Sequence, residues 1–228
     1  MKNKILCTIC ARGNSKGLKN KNFKLIKNKP LIRFTIDHAL KSKIFDKIVV
    51  CSDSMKILEY CNKIKNIEIL KRPSKLAKDN TPKIPVIRYS LVEMEKKYKK
   101  KFDIIIDLDV TAPLRIVSDI TSALKQFKNN NNQTLFSACI SRRNPYFNAV
   151  EIKNRKPKPV KSLMKKIPGR QFAPKVFDMN ASIYIWKRKT LLKSNTLFTK
   201  NTSIYVMPDE RSLDIDNEFD FKIVKQLL

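Results

Sequence analysis

Glycine is almost missing from this sequence. Only Gly13, Gly17 and Gly169 occur in 228 residues, whereas an average chain carries about 7%. A chain this poor in glycine is expected to keep it where a side chain is not tolerated, through φ > 0 or close backbone approach. Acidic residues are also scarce, 20 against 49 lysines and arginines, for a net charge of +29. Such a charge admits nucleic acid, an acidic membrane surface or small anionic substrates as partners. No stacking aromatics interleave with the basic residues, as a single-strand binder would require, so no nucleic-acid partner is expected. No apolar run approaches the ~20 residues of a membrane span, and no membrane association is expected. The apolar run after Met1-Lys2-Asn3-Lys4 is followed at once by Arg12 and has no cleavage site, so it reads as a first strand. The single histidine, His38, falls in a helical pattern and is given a structural role.

Cysteine is present but unpatterned. Five residues, an odd number at scattered spacing, argue against a disulfide framework and for a reducing, cytoplasmic compartment. Cys7 and Cys10 have the spacing of a redox pair, yet both lie within a strand on opposite faces, which suits small buried hydrophobes.

Two of the three glycines lie in one stretch, Ala11-Arg12-Gly13-Asn14-Ser15-Lys16-Gly17-Leu18-Lys19-Asn20-Lys21-Asn22. An apolar strand leading into a loop of glycine, serine and basic residues is how α/β proteins cradle phosphate: amides point inward and fixed cations neutralise charge. The spacing matches neither GxxxxGK[ST] nor GxGxxG. The plain alternative is a lysine-rich surface loop.

The chain reads as one domain over residues 1–228, with strands and helices alternating into a mostly parallel sheet. Expected strands are Ile5 to Cys10, Asp46 to Cys51, Ile67 to Leu70, Asp103 to Leu108, Leu135 to Ile140, Asn180 to Trp186 and Ser203 to Met207. Expected helices are Leu31 to Lys43, Met55 to Ile64 capped by Ser54, Lys83 to Tyr98, Ser118 to Lys128 and Asn217 to Leu228. From Ser141 to Lys175 prolines break the pattern, and loops with a hairpin are expected.

Ala11-Arg12, Ser15-Lys16-Gly17 and Lys21-Asn22 together resemble the N-terminal motif of the CMP-sialic acid synthetases, the acylneuraminate cytidylyltransferases. Further matches follow in family order: Phe45 to Val50 with Ser52-Asp53, Arg72-Pro73, Thr111-Ala112-Pro113-Leu114-Arg115 and Ser212-Leu213-Asp214-Ile215-Asp216. The resemblance implies a Rossmann-like α/β nucleotidyltransferase fold. It also implies transfer of CMP from CTP to the anomeric hydroxyl of an acidic nonulosonic sugar, with release of pyrophosphate.

On that resemblance, Arg12, Lys16 and Lys21 are the candidate catalytic residues, through contacts to the triphosphate. Ala11, Asn14, Ser15, Gly17, Asn22 and Arg72 are further candidates for the nucleotide. Mg²⁺ is the implied cofactor, and it prefers one or two carboxylates with water and substrate. Asp214 and Asp216 match the family's metal pair, and residues two apart in an extended segment face one way. Asp107 and Asp109 have the same spacing and remain a rival pair. Asp109, Arg170, Asn180 and Tyr184 are the sugar-side candidates. The family typically has glutamine where Asp109 stands. An acceptor-only carboxylate there moves the expected sugar from N-acetylneuraminate toward legionaminic or pseudaminic acid. The resemblance further implies a homodimer built through the 141–175 segment. The alternatives are a 3-deoxy-D-manno-octulosonate cytidylyltransferase, whose loop this sequence fits poorly, and a basic nucleic-acid-binding protein.

Overall fold

The computed structural model describes residues 3–14, 17–78, 80–163 and 168–228. The chain opens with β1 (Ile5–Cys10). A short hairpin, β2 (Leu25–Ile26) and β3 (Lys29–Pro30), then feeds α1 (Leu31–Ser42). Alternation follows: β4 (Lys47–Ser52), α2 (Met55–Asn62), β5 (Glu68–Lys71), α3 (Lys83–Tyr98), β6 (Ile104–Leu108), α4 (Val117–Asn129) and β7 (Thr134–Ile140). The proline-broken segment contains a second hairpin, β8 (Val150–Lys153) and β9 (Lys156–Pro159). The chain closes with β10 (Phe177–Lys187), α5 (Arg188–Lys193), β11 (Thr202–Val206) and α6 (Glu218–Leu227).

Seven strands form one sheet in the order β11-β7-β10-β6-β1-β4-β5. Neighbours are parallel except where β10 runs antiparallel to both β6 and β7. Side chains alternate across the central strands. Ile5, Cys7 and Ile9 join Ile36, Ile57, Ile120 and Val224 in a core beneath α1, α2, α4 and α6. Leu6 faces the other way, into a cluster with Val49, Ile105, Trp186, Ile87 of α3 and Leu191 of α5. Strands covered on both faces favour apolar residues throughout, which is why β1 shows no alternation of polarity apart from Thr8, a buried residue whose hydroxyl is hydrogen-bonded.

Among the described residues, no glycine adopts a left-handed φ; asparagines and lysines do so instead, including Asn20, Lys43, Asn66 and Lys99. Lys43 and Lys99 end α1 and α3 at the position where glycine is usual. Close backbone approach accounts for Gly17, where an added Cβ would meet the Asp216 carbonyl oxygen. Ser54 caps α2 as expected, its hydroxyl accepting from the Ile57 amide at 3.5 Å.

Candidate active site

A cleft of about 530 Å³ opens at the carboxyl ends of the parallel strands, where open α/β sheets bind ligands. Its wall combines Arg12, Gly17, Lys21 and Asn22 of the first loop with Arg72 after β5 and Lys83 at the start of α3. Asp109 and Thr111 after β6, Ala181 in β10, and Asp214 and Asp216 before α6 complete it. Residues from six separate stretches of sequence therefore meet at one sheet edge.

The first loop is pinned at several points. The Gly13 amide donates to Asp53 Oδ1 at 2.9 Å, and Asn22 Nδ2 donates to the Arg12 carbonyl at 2.9 Å. Lys21 Nζ donates to the Ile215 carbonyl and to Asp216 Oδ1 at 3.1 Å. At Gly17 a Cβ would stand 2.2 Å from the Asp216 carbonyl oxygen, well inside contact distance. The basic loop and the acidic segment are thus packed backbone to backbone.

The acidic segment has its own anchor. Ile215 is fully buried, and its amide donates to the Thr111 carbonyl at 2.8 Å. With Ile215 turned into the core, the flanking Asp214 and Asp216 both reach the cleft, as their spacing predicts. Burial pushes the Asp214 carboxyl up to about 6, and the neighbouring Asp216 and Asp109 charges add to the rise. A carboxyl held up by burial and by a neighbouring carboxylate suits a cation beside it.

The rival pair is engaged elsewhere. Asp107 is fully buried, accepts from Thr8 Oγ1 at 2.7 Å and pairs with Lys83 Nζ at 2.6 Å. Asp109 gives one oxygen to the same ammonium at 2.5 Å and the other to the Thr111 amide at 3.0 Å. Burial opposes the Lys83 charge, yet the two aspartates outweigh it and hold its pKa above the ordinary lysine value. Burial likewise works against Asp109 ionisation, and Lys83 overcomes it to lower the carboxyl's pKa. Lys83 also lies over the Tyr184 ring, 5.0 Å from its centroid. Beneath them Arg115, fully buried, donates to the Ser182 carbonyl at 2.8 Å and to the Asp109 carbonyl at 3.3 Å. Burial lowers its guanidinium to about 10, which still leaves it charged at neutral pH.

Of the residues expected from sequence, the cleft gathers Arg12, Gly17, Lys21, Asn22, Arg72, Asp109, Asp214 and Asp216. Arg72 is itself buried and anchored, donating from Nε to the Leu76 carbonyl at 2.7 Å. Ala11 is buried behind the cleft and continues the β1–β4 pairing through its amide to Cys51, at 3.0 Å. Asn14 is exposed and does not line the cleft. Ser15 and Lys16 lie outside the described residues. Arg170 donates to the Ser141 carbonyl at 2.9 Å, away from the cleft wall. Asn180 is buried and spends its side chain on Ser137 and Ser212. Tyr184 supports Lys83 rather than forming the wall.

Cys10, Thr81, Lys83, Val86 and Ala181 line the cleft without having been named as site candidates, and Thr111 was named only within a matching motif. Lys83 carried a readable signal. A cation in the first turn of a helix opposes the helix dipole, so it needs an acidic partner.

Comparison with known proteins identifies the family. The cytidylyltransferase family model matches residues 6–227. CMP-N,N'-diacetyllegionaminic acid synthase of Campylobacter jejuni is 48% identical over 98% of this chain and 94% of its own length. Post-translational flagellin modification protein B of Campylobacter coli is 46% identical, with the same coverage of both chains. Among solved structures, CMP:2-keto-3-deoxy-manno-octonic acid synthetase complexed with CTP superposes with a TM-score of 0.68, at 16% identity and over 98% of each chain. This chain belongs to the cytidylyltransferase family.

Proposed function

We propose that this protein activates a nine-carbon nonulosonic acid with CTP, giving the CMP-sugar and pyrophosphate, and that the sugar is a diacetylated legionaminic acid. The observation that carries the reading is the contact between basic loop and acidic pair, Gly17 and Lys21 against Asp216. It sets cations for a triphosphate beside carboxylates for a divalent ion in one cleft. The 48% identity to a CMP-N,N'-diacetyllegionaminic acid synthase supports the choice of sugar.

The sugar's anomeric hydroxyl gives up its proton to solvent as its oxygen attacks the α-phosphorus of CTP. The bond to the β-phosphate bridging oxygen breaks, and pyrophosphate leaves with the electron pair. In-line transfer depends on positioning and charge neutralisation. Arg12 offers a fork of donors to phosphate oxygens, and Lys21 adds a point charge. Arg72, at the β5 end of the cleft, faces the nucleotide. Asp109 and Thr111, toward β10, present acceptor oxygens to sugar hydroxyl or amide groups.

Asp214 and Asp216 fit Mg²⁺, which takes hard oxygen ligands and usually one or two carboxylates. When bound, the ion screens triphosphate charge and acidifies the attacking hydroxyl. The protein is further proposed to act as a homodimer. The exposed apolar residues Val150, Ile152 and Phe172 in the segment after β7 support that reading. Free thiols at all five cysteines support a cytoplasmic setting. Pyrophosphate release from CTP and Mg²⁺, measured against a panel of nonulosonic acids and 3-deoxy-D-manno-octulosonate, tests the proposal.

A further inference from the structure

Ala181 sits in β10 with φ 51, a left-handed conformation that residues bearing a Cβ avoid because it crowds the following carbonyl. The cause is a bulge. From Met179 to Tyr184, β10 advances five residues while its partner β7 advances two, from Ala138 to Phe136.

Both neighbours of Ala181 are fixed without its help. Asn180 Oδ1 accepts from Ser137 Oγ at 2.7 Å, and its Nδ2 donates to Ser212 Oγ at 3.0 Å. The Ser182 carbonyl accepts from Arg115 at 2.8 Å and from the Asp109 amide at 3.2 Å. The bulge would therefore stand with glycine at 181, and glycine would relieve the strain. The chain instead keeps a methyl group there, and Ala181 lines the cleft.

The sheet order says which part of a substrate that methyl meets. Arg72 follows β5 at one end of the cleft. Arg12 follows β1 near the middle, and β10 lies beyond β6 at the other end. With triphosphate on the β1 loop and nucleoside toward β5, the β10 end is left to the sugar.

We propose that Ala181 is a specificity-determining residue: its methyl group, held in the cleft by the bulge, limits the room for sugar substituents and selects among nonulosonic acids. This rests on the cytidylyltransferase reading above. Backbone strain retained at a ligand-facing residue marks a site where the geometry serves binding. One methyl group in a pocket discriminates by about 10- to 200-fold.

The test measures kcat/KM of the wild type, A181G and A181S for each of N-acetylneuraminic, legionaminic, pseudaminic and 3-deoxy-D-manno-octulosonic acids, with CTP and Mg²⁺. A181G is expected to fold, melting within about 3 °C of wild type. Its ratio of preferred to disfavoured sugar should fall by about tenfold or more, with KM for CTP within about twofold of wild type. A181S, which adds an atom to the same wall, should raise KM for the preferred sugar by about tenfold. A wild type active on one acid, with ratios unchanged in both variants, overturns the inference alone. A wild type silent on every acid overturns the functional reading and the inference with it.

Discussion

The carbonyl oxygen of Asp216 occupies the space that a side chain at Gly17 would need, 2.2 Å from an ideal Cβ. This contact joins the first loop of the chain to its last acidic segment, about 200 residues away in sequence. Gly17→Ala must push the two apart. We expect a fall in kcat of about a hundredfold or more, the scale of a 1 Å misplacement at a reacting centre. Some stability should be lost as well, because the clash is with backbone and not with a movable side-chain end. Turnover near the wild-type rate would show that the contact does not shape the site.

Lys83 is the counter-ion of a fully buried carboxylate, Asp107. Lys83→Met leaves that charge without its partner and should destabilise the fold by about 3–5 kcal/mol, read from urea denaturation. Adding Asp107→Asn removes the stranded charge and should recover part of the loss. Equal stability in Lys83→Met and wild type would contradict the pairing.

His38 makes stability depend on pH. Burial, with smaller contributions from the Arg115 and Lys41 charges, lowers its imidazole to about 4, against an unperturbed 6.5. Nδ1 is buried without a hydrogen-bond partner. Between these values the unfolded chain binds a proton that the folded chain refuses. His38's contribution is therefore intact above pH 6.5 and is lost as pH falls toward 4, a change of about 2–3 kcal/mol. His38→Gln should flatten that part of the stability curve by a similar amount. An unchanged slope would mean that His38 is protonated in the folded chain.

Much of this fold was legible in the residues. The α3 boundaries, Lys83–Tyr98, and the β1 boundaries, Ile5–Cys10, agree with the periodicity and polarity of the sequence. Shorter strands shift by a residue or so, since element ends depend on local pairing. The reversal of β10 was not legible, because residue pattern sets which face a strand buries and not which way it runs. The two-residue hairpin β2–β3 and the one-and-a-half-turn α5 are too short to carry a period. In the site, the loop and the Asp214–Asp216 pair were picked out by resemblance to a known family, with their spacing only compatible. Asp107 and Asp109 share that spacing, and only the fold separates the pairs, by giving Lys83 to one of them. The place of Lys83 in the first turn of α3 signals a need for an acidic partner, but its partners lie 24 and 26 residues away and no local pattern identifies them. The glycines were read as needing either left-handed φ or close approach; none has left-handed φ, and close approach to backbone is found at Gly17.

Asp214 and Asp216 reach the cleft from either side of buried Ile215. Asp214→Asn should cut turnover by about a hundredfold or more, as expected when charge stabilisation at the transferring phosphoryl group is lost. Asp107→Asn should act through stability first, because Asp107 does not line the cleft. The reverse ranking in kcat would transfer the metal role to the rival pair.

The most direct measurement is pyrophosphate release by the wild-type chain with CTP, Mg²⁺ and N,N'-diacetyllegionaminic acid, with each component omitted in turn. Release that needs all three, and is lost in Asp214→Asn, is the predicted result. No release with this or any other acid of the panel, from a folded protein, would contradict the proposed function.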